Sequence, residues 1–262
     1  MNRIDLLFNK KKDHILNIYF TAGYPNLNDT VSIIKALDDA GADIVEIGMP
    51  YSDPMADGPT IQESGSTAIA SGMTLFTLFQ QLKDIRKETD IPLLFMGYLN
   101  QMMQYGVDKF LQECTDAGID GLIIPDLPVD IYEIELKEKI ASSGLHIIFL
   151  ITPQTTEARI RKIDDLAGGF LYMVSSASIT GAKSGISEEQ KQYFERVNKM
   201  NLKNPRLIGF GISNHQTFET ACQFAHGAII GSAFIRHLGK NQDRVGDATK
   251  EFVESILDKE KA

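Results

Sequence analysis

The sequence predicts a single (β/α)8 barrel spanning residues 1–262, and three observations carry that reading. Eight short apolar runs rich in β-branched residues recur along the chain, amphipathic segments lie between them, and Gly stands repeatedly where one kind of segment gives way to the other. Short apolar runs without clean polar alternation are how strands buried on both faces read. Eight strand–helix units use up the 262 residues, with no composition shift and no Pro- or Ser-rich linker to divide them. That favours one barrel over two domains. An open α/β sheet is the alternative, because periodicity alone does not show closure.

Taken in order, the expected strands are Ile15–Phe20, Ile44–Ile47, Leu93–Met96, Leu122–Ile124, Ile147–Ile151, Phe170–Val174, Leu207–Phe210 and Ala228–Ile230. Between the first two, Thr30–Leu37 places apolar residues at i, i+3, i+4 and i+7, the spacing of one helix face. Leu75–Ile85, Phe110–Ala117, Ile131–Ile140 and Phe252–Leu257 show similar helical spacing. Gly41, Gly118, Gly144 and Gly227 each sit where a helical pattern stops and a strand begins. Gly accepts the left-handed conformation that closes a helix, so each is expected to turn the chain into its next strand.

Composition narrows the function. Lys and Arg total 26 against 35 Asp and Glu, a formal net charge of −9, which disfavours general binding to nucleic acid or to an anionic membrane surface. No apolar run approaches the roughly 20 residues of a membrane helix, and the charged segment Met1–His14 does not read as a secretory signal. Two cysteines, Cys114 and Cys222, make neither a disulfide framework nor a zinc site. A reducing cytoplasm is the expected setting.

In a barrel, chemistry belongs at the C-terminal ends of the strands. Glu46 interrupts the apolar second strand, where burial would raise its pKa and suit it to acid–base work near neutral pH. A Glu bonded to a neighbouring strand or to a Lys is the plainer alternative. Asp57 follows in a Pro- and Gly-rich loop, where it either faces Glu46 across the barrel mouth or caps a helix. Gly209–Ser213 follows the seventh strand and Gly231–Ser232 the eighth. Backbone N–H groups at such turns, backed by a helix N-terminus, hold phosphate without a cation. Tight turns alone are the other reading of those glycines. The five His show no metal-ligand spacing, Gly209 and Gly211 lack the third glycine of a dinucleotide fingerprint, and the serines at 175, 176 and 178 lie outside any nucleophile elbow.

The run VEIGMPYSDPMADGPTIQ at residues 45–62 closely resembles the signature of the tryptophan synthase alpha chain family. Agreement continues at Phe20–Pro25, Asp126–Pro128, Ile179–Gly181, Gly209–Ser213 and Gly231–Ser232, in order along nearly the whole chain. The resemblance implies a (β/α)8 barrel that cleaves indole-3-glycerol phosphate to indole and glyceraldehyde 3-phosphate. It also implies a partner beta chain in an α2β2 heterotetramer, which joins the indole to serine with its own pyridoxal phosphate. No cofactor or metal is implied in this chain.

Carried over by position, Glu46 corresponds to the family's acid–base glutamate and Asp57 to its second catalytic aspartate. Tyr19 and Ile61 correspond to positions beside the indole, and Tyr172 to an active-site tyrosine. Thr180 and Gly181 correspond to the mobile loop after the sixth strand. Phe210, Gly211, Gly231 and Ser232 correspond to the indole-edge and phosphate positions, and Asp53 to a contact with the beta chain. Gln101 stands where many members carry Pro, and Ser175–Ser178 varies where some place Arg. The segments Tyr51–Gly58 and Thr180–Ser187 are expected to act as lids over the substrate.

The implied reaction is a retro-aldol cleavage in which the indole ring absorbs the electrons. It needs a proton delivered to indole C3 and another removed from the adjacent glycerol hydroxyl, and one carboxyl such as Glu46 serves both needs if its pKa is raised. Asp57 would accept the indole N–H and stabilise the positive charge that develops there. A Schiff-base aldolase would need a Lys, and no Lys interrupts the strand runs.

Overall fold

The computed structural model describes residues 2–55, 57–174, 187–209 and 211–258. Its strands are β1 (Ile15–Thr21), β2 (Ile44–Gly48), β3 (Leu93–Met96), β4 (Gly121–Ile123), β5 (His146–Ile148), β6 (Leu150–Ile151), β7 (Leu171–Val174), β8 (Arg206–Gly209) and β9 (Gly227–Ile230). All pair in parallel, in the order β5-β4-β3-β2-β1-β9-β8-β7-β6. The two ends of that order, β5 and β6, are separated in the chain by Phe149 alone. The expected fifth strand is therefore one extended segment whose first half pairs with β4 and whose second half pairs with β7. The Phe149 carbonyl accepts from Tyr172 N at 3.0 Å across the join. The sheet closes, and the fold is a (β/α)8 barrel rather than an open sheet.

Period-two alternation divides the strand residues between two cores. Ile15, Ile44, Leu94, Ile123, Ile148, Leu207 and Ile229 fill the barrel interior, whereas Leu16, Ile18, Phe20, Val45 and Ile47 pack outward in the cluster that includes the surrounding helices. The N-terminal end of the barrel is plugged by a helix the periodicity did not reveal, Arg3–Lys10. Asn2 caps it, accepting from Ile4 N at 2.9 Å. Its Ile4 and Phe8 join the interior cluster, with the Phe8 and Phe170 rings 6.1 Å apart. Beside it the buried Asp120 accepts from Arg86 Nη2 at 2.8 Å, Arg3 Nη1 at 3.2 Å and Leu93 N at 2.9 Å. The interior is thereby sealed at the bottom and available for chemistry at the top.

The expected helices form as Thr30–Ala40, Leu75–Leu82, Val107–Asp116 and Val245–Leu257. The segment expected at Ile131–Ile140 widens into a π-type turn at Tyr132–Leu136 before helix Lys137–Ser142. Gly41, Gly118 and Gly144 take the left-handed conformation expected of them. Gly227 does not. It opens β9 against β1 so closely that a Cβ there would run into the Ile15 carbonyl, so its hydrogen side chain serves strand contact rather than helix closure.

Candidate active site

At the C-terminal end of the barrel the interior changes from aliphatic to polar. Asn17, Tyr19 and Thr21 follow Ile15 on the inward face of β1, and Glu46 follows Ile44 on that of β2. The parallel register sets Tyr19 directly beside Glu46. Glu46 is 1% exposed, and its Oε2 accepts from Asn17 Nδ2 at 3.0 Å while Oε1 has no partner among the described residues. Removal from water pushes its pKa up to about 8, against the Asn17 hydrogen bond, which lowers it, and with a smaller contribution from the charge of Asp57. At neutral pH this carboxyl is mostly an acid.

Asp57 lies in the loop between β2 and helix Pro59–Ala70. Tyr98, at the start of the helix after β3, donates its hydroxyl to Asp57 Oδ2 at 2.9 Å. Burial raises the Asp57 pKa, and the Tyr98 hydrogen bond opposes that rise by favouring the carboxylate. Gln62 fixes the same loop by donating to the Asp57 carbonyl at 2.8 Å.

Two aromatic side chains complete the wall. Burial raises the phenol pKa of both Tyr19 and Tyr172, and the nearby carboxylates raise it further. Each ring lies over a strand glycine. A Cβ on Gly48 would run into the Tyr19 hydroxyl, and one on Gly209 would run into the Tyr172 ring. Ile61, half-buried on helix Pro59–Ala70, packs against the core behind them.

Across the mouth, Gly211 follows β8 with φ +87° and Gly231 follows β9. Gly231 approaches the Tyr19 ring, where a Cβ would stand 3.3 Å from Cδ1. Ser232 then begins helix Ser232–Gly239, whose N-cap Gly231 offers no side-chain hydrogen bond. The first N–H groups of such a helix have no partner within the helix, so they suit an anion bound there. Arg236 of this helix reaches Thr60 at 3.4 Å, joining the last unit to the second.

The structure thus brings Tyr19, Glu46, Asp57, Ile61, Tyr172, Gly211, Gly231 and Ser232 to one end of the barrel. Asp53 stands apart, exposed in the loop beside Ser52, with Met55 exposed next to it. Thr180, Gly181 and Phe210 lie outside the described residues, as do the serines at 175, 176 and 178. Among the described residues no group of three or more His, Cys, Asp or Glu could hold a metal.

Sequence reasoning passed over Asn17 and Tyr98 as site residues and read Gln101 only as a departure from the family's Pro. Asn17 is a polar residue inside an apolar strand run, the same signal that singled out Glu46. Tyr98 sits just past the end of β3, where a barrel places site residues. Gln101 is nine-tenths buried; it accepts from Tyr98 N at 2.9 Å and donates to the Pro50 carbonyl at 2.9 Å. It therefore ties the third loop to the second. Asn100 adds a bond to the Tyr51 hydroxyl at 2.9 Å, and the Tyr51 and Tyr98 rings stack at 5.1 Å.

The chain has close likenesses among known proteins. The family model described as Tryptophan synthase alpha chain matches residues 7–262. The chain is 58% identical to the tryptophan synthase alpha chain of Flavobacterium psychrophilum, over 92% of this chain and 95% of that one. It is 54% identical to that of Parabacteroides distasonis, over 98% and 99%. Among solved structures it is similar to tryptophan synthase subunit alpha from Legionella pneumophila, with TM-score 0.86, 33% identity and 98% and 97% of the two chains covered. It is likewise similar to a chain of the tryptophan synthase α2β2 complex from Pyrococcus furiosus, with TM-score 0.86, 34% identity and 94% and 99% covered. With the barrel, the polar mouth and these likenesses in agreement, the chain belongs to the tryptophan synthase alpha chain family.

Proposed function

We propose that this chain is a carbon–carbon lyase that cleaves indole-3-glycerol phosphate to indole and glyceraldehyde 3-phosphate. The observation that carries the reading is Glu46: a buried carboxyl, held through one oxygen, with the other bare beside an aromatic wall. Protonated at neutral pH, Glu46 delivers its proton to indole C3, giving the indolenine tautomer. As the carboxylate it then takes the proton from the adjacent glycerol hydroxyl while the C–C bond breaks. The bonding electrons return to the ring, and glyceraldehyde 3-phosphate leaves as the aldehyde. Asp57, kept toward its charged form by Tyr98, accepts the indole N–H and stabilises the cation formed on protonation. Tyr19, Ile61 and Tyr172 flank the ring, and the backbone of Gly211, Gly231 and Ser232 takes the phosphate. Thr180, Gly181 and Phe210 are assigned to the substrate by family position.

No cofactor is required in this chain, because the indole ring is the electron sink. None of the described strands contains a Lys that would form a Schiff base. Released indole passes to a partner beta chain, which carries the pyridoxal phosphate, in an α2β2 assembly that makes tryptophan. Asp53 and the exposed apolar residues Met55, Met103 and Ile134, which follow β2, β3 and β4 in turn, supply contacts of the kind such a partner covers. Among the described residues no helix is long and apolar enough to cross a membrane, and the assigned setting is the cytoplasm.

The test is indole formation from indole-3-glycerol phosphate, with and without a beta chain. Wild-type chain should release indole, faster with the partner, and Glu46→Gln should release none while still binding a phosphate ligand. Retention of most activity by Glu46→Gln would remove the acid–base assignment.

A further inference from the structure

Among the described residues, Glu46 takes a side-chain hydrogen bond from Asn17, one strand away. Asn17 is fully buried on the inward face of β1, two residues below Tyr19 and on the barrel side of an otherwise apolar run. An unpaired amide in such a place costs stability unless it is used. Half of it is used: Nδ2 donates to Glu46 Oε2 at 3.0 Å, while among the described residues Oδ1 has no partner, and neither has Glu46 Oε1. The two side chains therefore share one hydrogen bond and leave one bare acceptor each.

We propose that Asn17 is a positioning residue for the cleavage reaction, whose amide holds the Glu46 carboxyl in place in both of its protonation states. A carboxylate can only accept, and Nδ2 supplies the donor. A carboxylic acid can donate, and Oδ1 is the acceptor that a turn of the amide about its terminal torsion brings to it. The energetic cost of that turn is small, because terminal amide torsions are broad. A side chain able to donate and accept suits a carboxyl that must give a proton to C3 and take one from a hydroxyl within a single turnover. The other ionisable groups around Glu46 are Asp57 from the loop after β2, Tyr19 from β1 and Tyr172 from β7, with Tyr98 bound to Asp57. The charge of Asp57 works in the same direction as burial, raising the Glu46 pKa. Asn17 is thus the group that favours the charged carboxylate against burial.

The assignment rests on the lyase reading for its role, and the experiment separates the two. Asn17→Val keeps a strand-compatible, buried side chain and removes both functions of the amide. The expected result is that the ionisation of Glu46 in the kcat/KM–pH profile for indole-3-glycerol phosphate moves up by about one pH unit, the size of a lost hydrogen bond to a charged group. A kcat loss should accompany it with KM little changed, since Asn17 lies fully buried two residues below Tyr19 and acts through Glu46. If wild-type chain cleaves the substrate and the Asn17→Val profile coincides with it, the assignment is overturned. If wild-type chain releases no indole, the lyase reading fails instead. In that case, or if Asn17→Val does not fold, NMR of the Asn17 side-chain amide in the wild-type chain decides. Its protons should follow the Glu46 titration and lose that response in Glu46→Gln, and resonances that ignore the titration would overturn the coupling.

Discussion

Replacing Glu46 by Gln should stabilise the folded chain, and increasingly so as the pH rises. The carboxyl is buried, and its pKa lies near 8 rather than at its ordinary 4.5. Between those values the unfolded chain gives up the proton while the folded chain retains it, so the folded state binds more protons and stability falls with rising pH. At about 1.4 kcal/mol per pH unit, the full displacement amounts to on the order of 4–5 kcal/mol lost by pH 8, with none of it lost below the unfolded pKa. Gln has nearly the same shape, can still accept from Asn17 Nδ2, and carries no proton to lose. The difference in unfolding free energy between variant and wild type, from denaturant titrations, should therefore be near zero at about pH 4, grow steadily, and level off above about pH 8. The same protein should release no indole. A difference that is flat across this range, or that shrinks as the pH rises, would refute the buried, proton-retaining carboxyl and with it the proton donor the reaction needs.

Three further outcomes follow from the geometry of the barrel. Tyr98→Phe removes the donor to Asp57, and kcat/KM for indole release should fall roughly tenfold or more, in line with the loss of a hydrogen bond to a charged group. Gly48→Ala drives a Cβ into the Tyr19 hydroxyl; overpacking of this kind should cost about 1–3 kcal/mol in denaturant unfolding and displace the indole wall, raising KM. Asp120→Asn leaves Arg86 without its buried carboxylate at the sealed end of the barrel, and should cost about 3–5 kcal/mol of stability while leaving the pH profile of the surviving activity unmoved.

How far the sequence could be read depended on whether a signal was local. Glu46 announced itself because a carboxylate inside an apolar strand run has few uses other than chemistry or a buried pair. Asn17 carries the same signal in weaker form, and only the register of β1 against β2 turns it into a partner of Glu46. Tyr98 and Asp57 are 41 positions apart and meet because β2 and β3 are adjacent. Gln101 stands out in the sequence only as a departure from the family's Pro, and the fold is what lets its side chain lace two loops together. Gly227 shows the reverse case: its position after a helical pattern looked like a cap, but contact with β1 decides its role. The plug helix Arg3–Lys10 stayed hidden because it is only eight residues long and its apolar residues, Ile4, Leu6, Leu7 and Phe8, span little more than one turn, too short a stretch to show a helical period; its value lies in what it covers.

The sequence by itself determined the number and order of the strand–helix units and the family to which the chain belongs. These follow from periodicity, glycine spacing and a long ungapped motif, all of which are properties of neighbours in the chain. The tertiary structure decided closure, through one short segment that pairs with β4 by its first half and with β7 by its second. It also decided the protonation state of Glu46, the partners of Asp57 and the fit of two tyrosine rings over two strand glycines. Burial and hydrogen bonding between distant residues set all of these, and neither quantity exists until the barrel closes.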